Sequence, residues 1–72
     1  MKMTAGEKMR VIMARRKMSM SDMAEKTGQS RQNLSNKMRR DDFSEKELVK
    51  MAAAMGCSVD IVFRDENGDV VL

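Results

Sequence analysis

Residues 18–40 read MSMSDMAEKTGQSRQNLSNKMRR, and this stretch has the grammar of two short helices around a tight turn. Ser19 is placed to cap the first helix, and Asp22, three residues on, completes a capping box. Met18 and Met23 flank that cap at the spacing of a hydrophobic staple. Gly28 stops the first helix, and Ser30 caps the second. Met23, Ala24 and Thr27 form the inner face of the first, while Leu34 and Met38, four residues apart, form that of the second. The rest of the second helix is polar or basic: Arg31, Gln32, Asn33, Ser35, Asn36, Lys37, Arg39 and Arg40. A helix with one narrow apolar stripe and such a remainder suits a polar, anionic surface. These side chains match the edges of a major groove: Arg pairs with guanine, Gln and Asn with adenine, and Ser with phosphate or either base.

Outward from this stretch the same signals recur. Thr4 and Glu7 have capping-box spacing, and Met9, Ile12 and Met13 then follow at helical spacing up to Arg15, Arg16 and Lys17. Those cations offset the dipole of the helix end, and a phosphate contact is compatible with that role. Beyond Asp41 and Asp42, Ser44 and Glu47 form a further capping box, with Phe43 and Leu48 as its staple. The fourth helix is expected from Glu45 to Met55, with Leu48, Met51, Ala52 and Met55 inward and Gly56 ending it. The tail SVDIVFRDENGDVVL then changes period. Val59, Ile61 and Phe63 alternate with Ser58, Asp60 and Val62, and Asn67-Gly68 is a strong signal for a type I′ hairpin turn. A strand over 58–66, a turn at 67–68 and a strand over 69–72 are expected, and such a hairpin needs a packing partner to be stable.

Composition narrows the function classes. Seventy-two residues make one small domain with a marginal core, a deficit that dimerisation remedies. No apolar run is long enough to span a bilayer, and the N-terminus lacks a signal peptide's apolar region, so the cytoplasm is expected. A single cysteine, Cys57, and no histidine leave neither a disulfide framework nor a zinc-ligand cluster, so no metal and no cofactor are expected. Without histidine, an activated thiol or a carboxylate pair in a cleft, the chain does not read as an enzyme. Its ten methionines fall mostly at inward helical positions and read as flexible core filler. Charge is segregated: residues 1–40 carry eleven basic side chains against three acidic, a net +8, and residues 41–72 carry a net −5. A polyanion orients such a dipole.

Met18 to Met38, followed by FSEKELVKMAAAMGCSVDIVF, resembles the helix-turn-helix domain of phage-repressor and Cro-like (XRE-like) transcription regulators over about residues 5–63. The shared features are Ala24 at the helix contact, Gly28 in the turn, Leu34 anchoring the recognition helix, and the late Leu-x-x-Met-Ala-x-x-Met-Gly helix. The resemblance implies a mostly α, four-helix, lambda-repressor-like helix-turn-helix domain over residues 1–57. It places Ser30, Arg31, Gln32 and Asn36 at the groove, with Asn33 and Ser35 close by, and the start of the first of the two helices against a phosphate. Base contacts are accordingly expected from Arg31, Gln32, Asn33, Ser35 and Asn36, and phosphate contacts from Ser19, Ser21 and Ser30 and, by their late position on the helix, from Lys37, Arg39 and Arg40. Met20 stands where the family usually has a phosphate-contacting Gln, and Thr27, Gln29 and Lys37 stand where apolar residues are usual. Many members continue after the fourth helix into a fifth. Here the alternation and Asn67-Gly68 favour a β-hairpin over 58–72, with Val59, Ile61, Phe63, Val70, Val71 and Leu72 forming a dimerisation element. The implied function is a sequence-specific double-stranded DNA-binding regulator, a repressor on a palindromic operator acting as a homodimer without membrane association. The alternative is an antitoxin-like or adaptor module that binds protein and touches DNA only weakly and without specificity.

Overall fold

The computed structural model describes residues 2–72, and among them four helices follow in order: α1 Ala5–Arg15, α2 Met20–Lys26, α3 Arg31–Arg40 and α4 Glu45–Ala54. Each begins where a hydroxyl side chain accepts a backbone N–H that would otherwise lack a partner. Thr4 and Glu7 make a reciprocal box at α1 (3.2 and 2.9 Å), as do Ser19 and Asp22 at α2 (3.1 and 2.9 Å). Ser30 caps α3 through the Asn33 N–H at 3.0 Å. The box expected at α4 is only half made. Ser44 accepts from the Glu47 N–H at 3.2 Å, but the Glu47 carboxylate gives Oε2 to Lys37 and returns to the cap through Oε1 on the Ser44 hydroxyl, at 3.3 Å, and not on the backbone N–H. An ammonium outcompetes a neutral N–H for a carboxylate.

The chain leaves every helix through a left-handed residue: Lys17 (φ 55°), Gly28 (68°), Asp41 (53°) and Gly56 (74°). The next N–H then reaches back to the last turn: Met18 to Met13 at 2.9 Å, Gln29 to Ala24 at 3.0 Å, Asp42 to Lys37 at 3.3 Å, and Cys57 to Ala52 at 2.8 Å. Asp41 has no glycine's freedom at its angle, but its carboxylate accepts the Gly6 N–H at 2.7 Å. That bond ties the start of α1 to the end of α3. It also explains Gly6, because a Cβ there would lie 2.9 Å from Asp41 Oδ1 and 3.3 Å from the Met38 carbonyl oxygen.

The core is methionine-rich, with Met9, Met13, Met23, Ala24, Leu34, Met38, Met51, Ala52 and Met55 buried. Ile12, Met18, Met20, Phe43 and Leu48 pack on its edge. Six buried thioethers adapt their three rotatable bonds to the gaps between short helices, as the inward spacing predicted.

The tail differs from the expected hairpin. No strand forms over 58–66 or 69–72, and no fifth helix replaces it. Residues 58–62 run without a paired neighbour, and pairing is confined to one antiparallel bridge, Arg64 with Val70, flanked by Phe63 N–H to Leu72 O (2.9 Å) and Val71 N–H to Phe63 O (2.8 Å). The turn is one residue wider than a type I′ turn at 67–68. It closes Asp65 O to the Gly68 N–H at 3.0 Å with Gly68 left-handed at φ 85°. The Asp65 carboxylate accepts the Asn67 and Asp69 N–H groups at 2.9 and 3.0 Å, and this Asx-type bonding selects the wider turn. With no third strand and no sheet face to bury, alternation alone does not sustain a ladder.

Candidate nucleic-acid interface

α2 packs on α3 through Met23, Ala24 and Leu34, the first and last of which are fully buried. This contact aims the opposite side of α3 at solvent. Gln32, Asn36 and Arg39 recur there at i, i+4, i+7, away from the Leu34–Met38 stripe, and Arg31, Asn33, Ser35 and Arg40 flank that row. All of these are exposed except Asn36, which is half-buried beneath the Arg39 guanidinium; Arg39 Nη2 donates to Asn36 Oδ1 at 2.7 Å. The Asn36 carbonyl oxygen is therefore engaged while its amide N–H groups remain available to acceptors.

Ser19 and Ser30 accept backbone N–H groups at the starts of α2 and α3; the Ser30 hydroxyl keeps its proton to donate, while that of Ser19 is drawn to the Asp22 carboxylate. Ser21 is exposed in the first turn of α2. These three hydroxyls lie near helix N-termini, where amide dipoles attract anions. The Asp22 carboxyl sits among them. The Ser19 backbone N–H, then its hydroxyl, hold its pKa below the ordinary carboxylate range, so it stays charged and occupies part of the α2 terminus.

Lys37 departs from the expected row. It leans to the α4 side, half-buried, in an ion pair with Glu47, whose carboxyl pKa is lowered first by the Lys37 hydrogen bond. Arg39 and Arg40 thus remain the exposed cations at the C-terminal end of α3.

Sequence reasoning missed Gln29. Its Nε2 donates to Thr27 Oγ1 at 2.8 Å, and its Oε1 accepts from Asn33 Nδ2 at 2.9 Å. Three residues at i, i+2 and i+6 have no helical or strand period, so pattern reading had no signal for them. Arg16, expected as a helix-end cation with a compatible phosphate contact, reaches Cys57, with Nη2 3.7 Å from Sγ, and braces the exit of α4. Among the described residues no group of His, Cys, Asp and Glu has the arrangement to hold a metal ion, and no helix is long and apolar enough to cross a membrane.

A family model for the Cro/C1-type HTH DNA-binding domain matches residues 8–63. Comparisons with curated proteins and with solved structures give no match.

Proposed function

The chain belongs to the Cro/C1-type helix-turn-helix DNA-binding domains, and from that premise we propose that it is a sequence-specific repressor that binds a palindromic double-stranded operator as a homodimer. One observation carries the reading: α3 buries only Leu34 and Met38 and turns a continuous polar and cationic face to solvent. Laid in a major groove, Arg31, Gln32, Asn33, Ser35 and Asn36 meet base edges. Ser19, Ser21, Ser30, Arg39 and Arg40 meet phosphates and fix register. Lys37 reaches a phosphate only after leaving Glu47. The module over 1–57 reads DNA, while the tail over 58–72 joins two copies, and occupancy excludes polymerase. It acts in the cytoplasm, as a binding protein without cofactor or metal.

Selection of bound sequences from a random DNA pool tests this. A palindrome with half-sites about one turn apart, roughly 34 Å, is the expected product. Weak binding to every sequence, abolished by salt, overturns the reading in favour of an antitoxin-like or adaptor module that binds protein.

A further inference from the structure

The amide of Asn33 emerges from the fold with its direction already chosen. Thr27 is buried, 3% exposed, and its hydroxyl lies 2.7 Å from the Met23 carbonyl oxygen and 3.4 Å from that of Ala24. A carbonyl only accepts, so the hydroxyl proton is spent there and Oγ1 offers its lone pairs elsewhere. Gln29 must then turn Nε2 toward Thr27, at 2.8 Å. Its Oε1 falls on the far side and accepts from Asn33 Nδ2 at 2.9 Å. The reverse orientation of Asn33 would set Oδ1 against Oε1, two acceptors with no proton between them. Asn33 therefore presents Oδ1 and its second N–H outward from the first turn of α3.

We propose that Gln29, anchored on Thr27, is a positioning residue that fixes the direction of the Asn33 amide and so makes Asn33 selective for bases that present an exocyclic amino group in the major groove. This rests on α3 entering the major groove. The outward Oδ1 accepts from adenine N6 or cytosine N4, and the second N–H donates to adenine N7, which favours adenine. Guanine O6 and thymine O4 set acceptor against acceptor. Released from Gln29, the terminal amide turns over at little cost and meets either kind of edge.

The intact chain and its Gln29→Met, Thr27→Val, Gln29→Glu and Asn33→Ala variants are compared by selection from a random duplex pool. The wild type prefers adenine over guanine or thymine by roughly tenfold at one position of each half-site. Gln29→Met and Thr27→Val lose most of that preference at that position alone, with the other positions and the salt slope unchanged. Gln29→Glu has no N–H for Thr27 Oγ1 and sets acceptor against acceptor there, so it loses the preference as well, while its charge weakens all sequences alike. A preference that survives in both Gln29→Met and Thr27→Val, or a profile indifferent to Asn33→Ala, overturns the proposal. Slow exchange of an Asn33 side-chain amide proton in the DNA-free protein reports the lock separately. A chain that keeps the lock but selects no sequence overturns the groove reading, and this proposal with it. Sequence selection without dependence on Gln29 overturns this proposal alone.

Discussion

Lys37 and Glu47 hold α3 against α4 through an ion pair whose strength depends on pH. The Glu47 carboxyl titrates below its ordinary range because Lys37 donates to it. A carboxyl whose folded pKa is depressed stabilises the fold above its unfolded pKa, and that contribution is lost as pH falls through the folded value. Urea midpoints measured across the acid range should therefore fall more steeply for the wild type than for Glu47→Gln. The two curves should converge at low pH, and parallel curves would show that the pair contributes nothing. Arg31 and Arg39 call for a different comparison, because both are exposed on α3 but at opposite ends. Arg31→Ala should cost about 1–3 kcal/mol per half-site on the preferred sequence and relax base preference. Arg39→Ala should weaken all sequences alike and reduce the salt slope by about one unit. Equal losses for Arg31→Ala on specific and random DNA would move it to the phosphate class.

At the scale of elements, the junction of α1 with α3 leaves little room for added volume. Gly6→Ala places a methyl 2.9 Å from Asp41 Oδ1 and 3.3 Å from the Met38 backbone oxygen, displacing the carboxylate that offsets the strain at Asp41. The expected cost is about 1–3 kcal/mol in thermal or urea unfolding, and a variant as stable as wild type would show that α1 slides freely. Nothing in the sequence marked this contact, because the partners stand 35 residues apart and neither belongs to a periodic pattern. The helices were legible because their caps are local: Thr4, Ser19, Ser30 and Ser44 each act on a residue three positions on. The outward face of α3 was legible for the same reason, since Leu34 and Met38 fix its inner stripe. What its side chains are bonded to was not. Lys37 on Glu47 and Asn33 on Gln29 depend on how the elements are assembled. The tail misled because a strand needs a neighbour, and alternation specifies only half of that pairing.

The whole molecule is longer than its chain length requires. A compact 72-residue domain has a radius of gyration of about 11 Å, whereas this one measures 13.2 Å with extents of 40 × 23 × 23 Å. The excess fits a tail that stands off the helices and exposes Phe63 (67%), Val70 (59%), Val71 (61%) and Leu72 (85%). Beside its root lies a largely apolar groove of about 290 Å³, bounded by Met9 and Ile12 of α1, Leu48 and Ala52 of α4, and Val59 and Ile61 of the tail. Exposed valines and a leucine next to an unfilled apolar groove suit reciprocal packing of two copies across a two-fold axis. Charge agrees, since Asp65, Glu66 and Asp69 gather on the tail, whereas the N-terminal half that carries α3 is basic. Truncation after Cys57 should convert a dimer into a monomer in sedimentation at equal concentration. It should also weaken operator binding far more than single-site DNA binding, because the second half-site is no longer held in place by the first. Replacing Phe63 and Leu72 by Glu should give the same monomer while keeping Val59 and Ile61 on the groove, which separates loss of the interface from loss of the fold. If both altered chains still sediment as dimers, the contact lies on the helices, and the exposed Val49 of α4 (51%) becomes its centre.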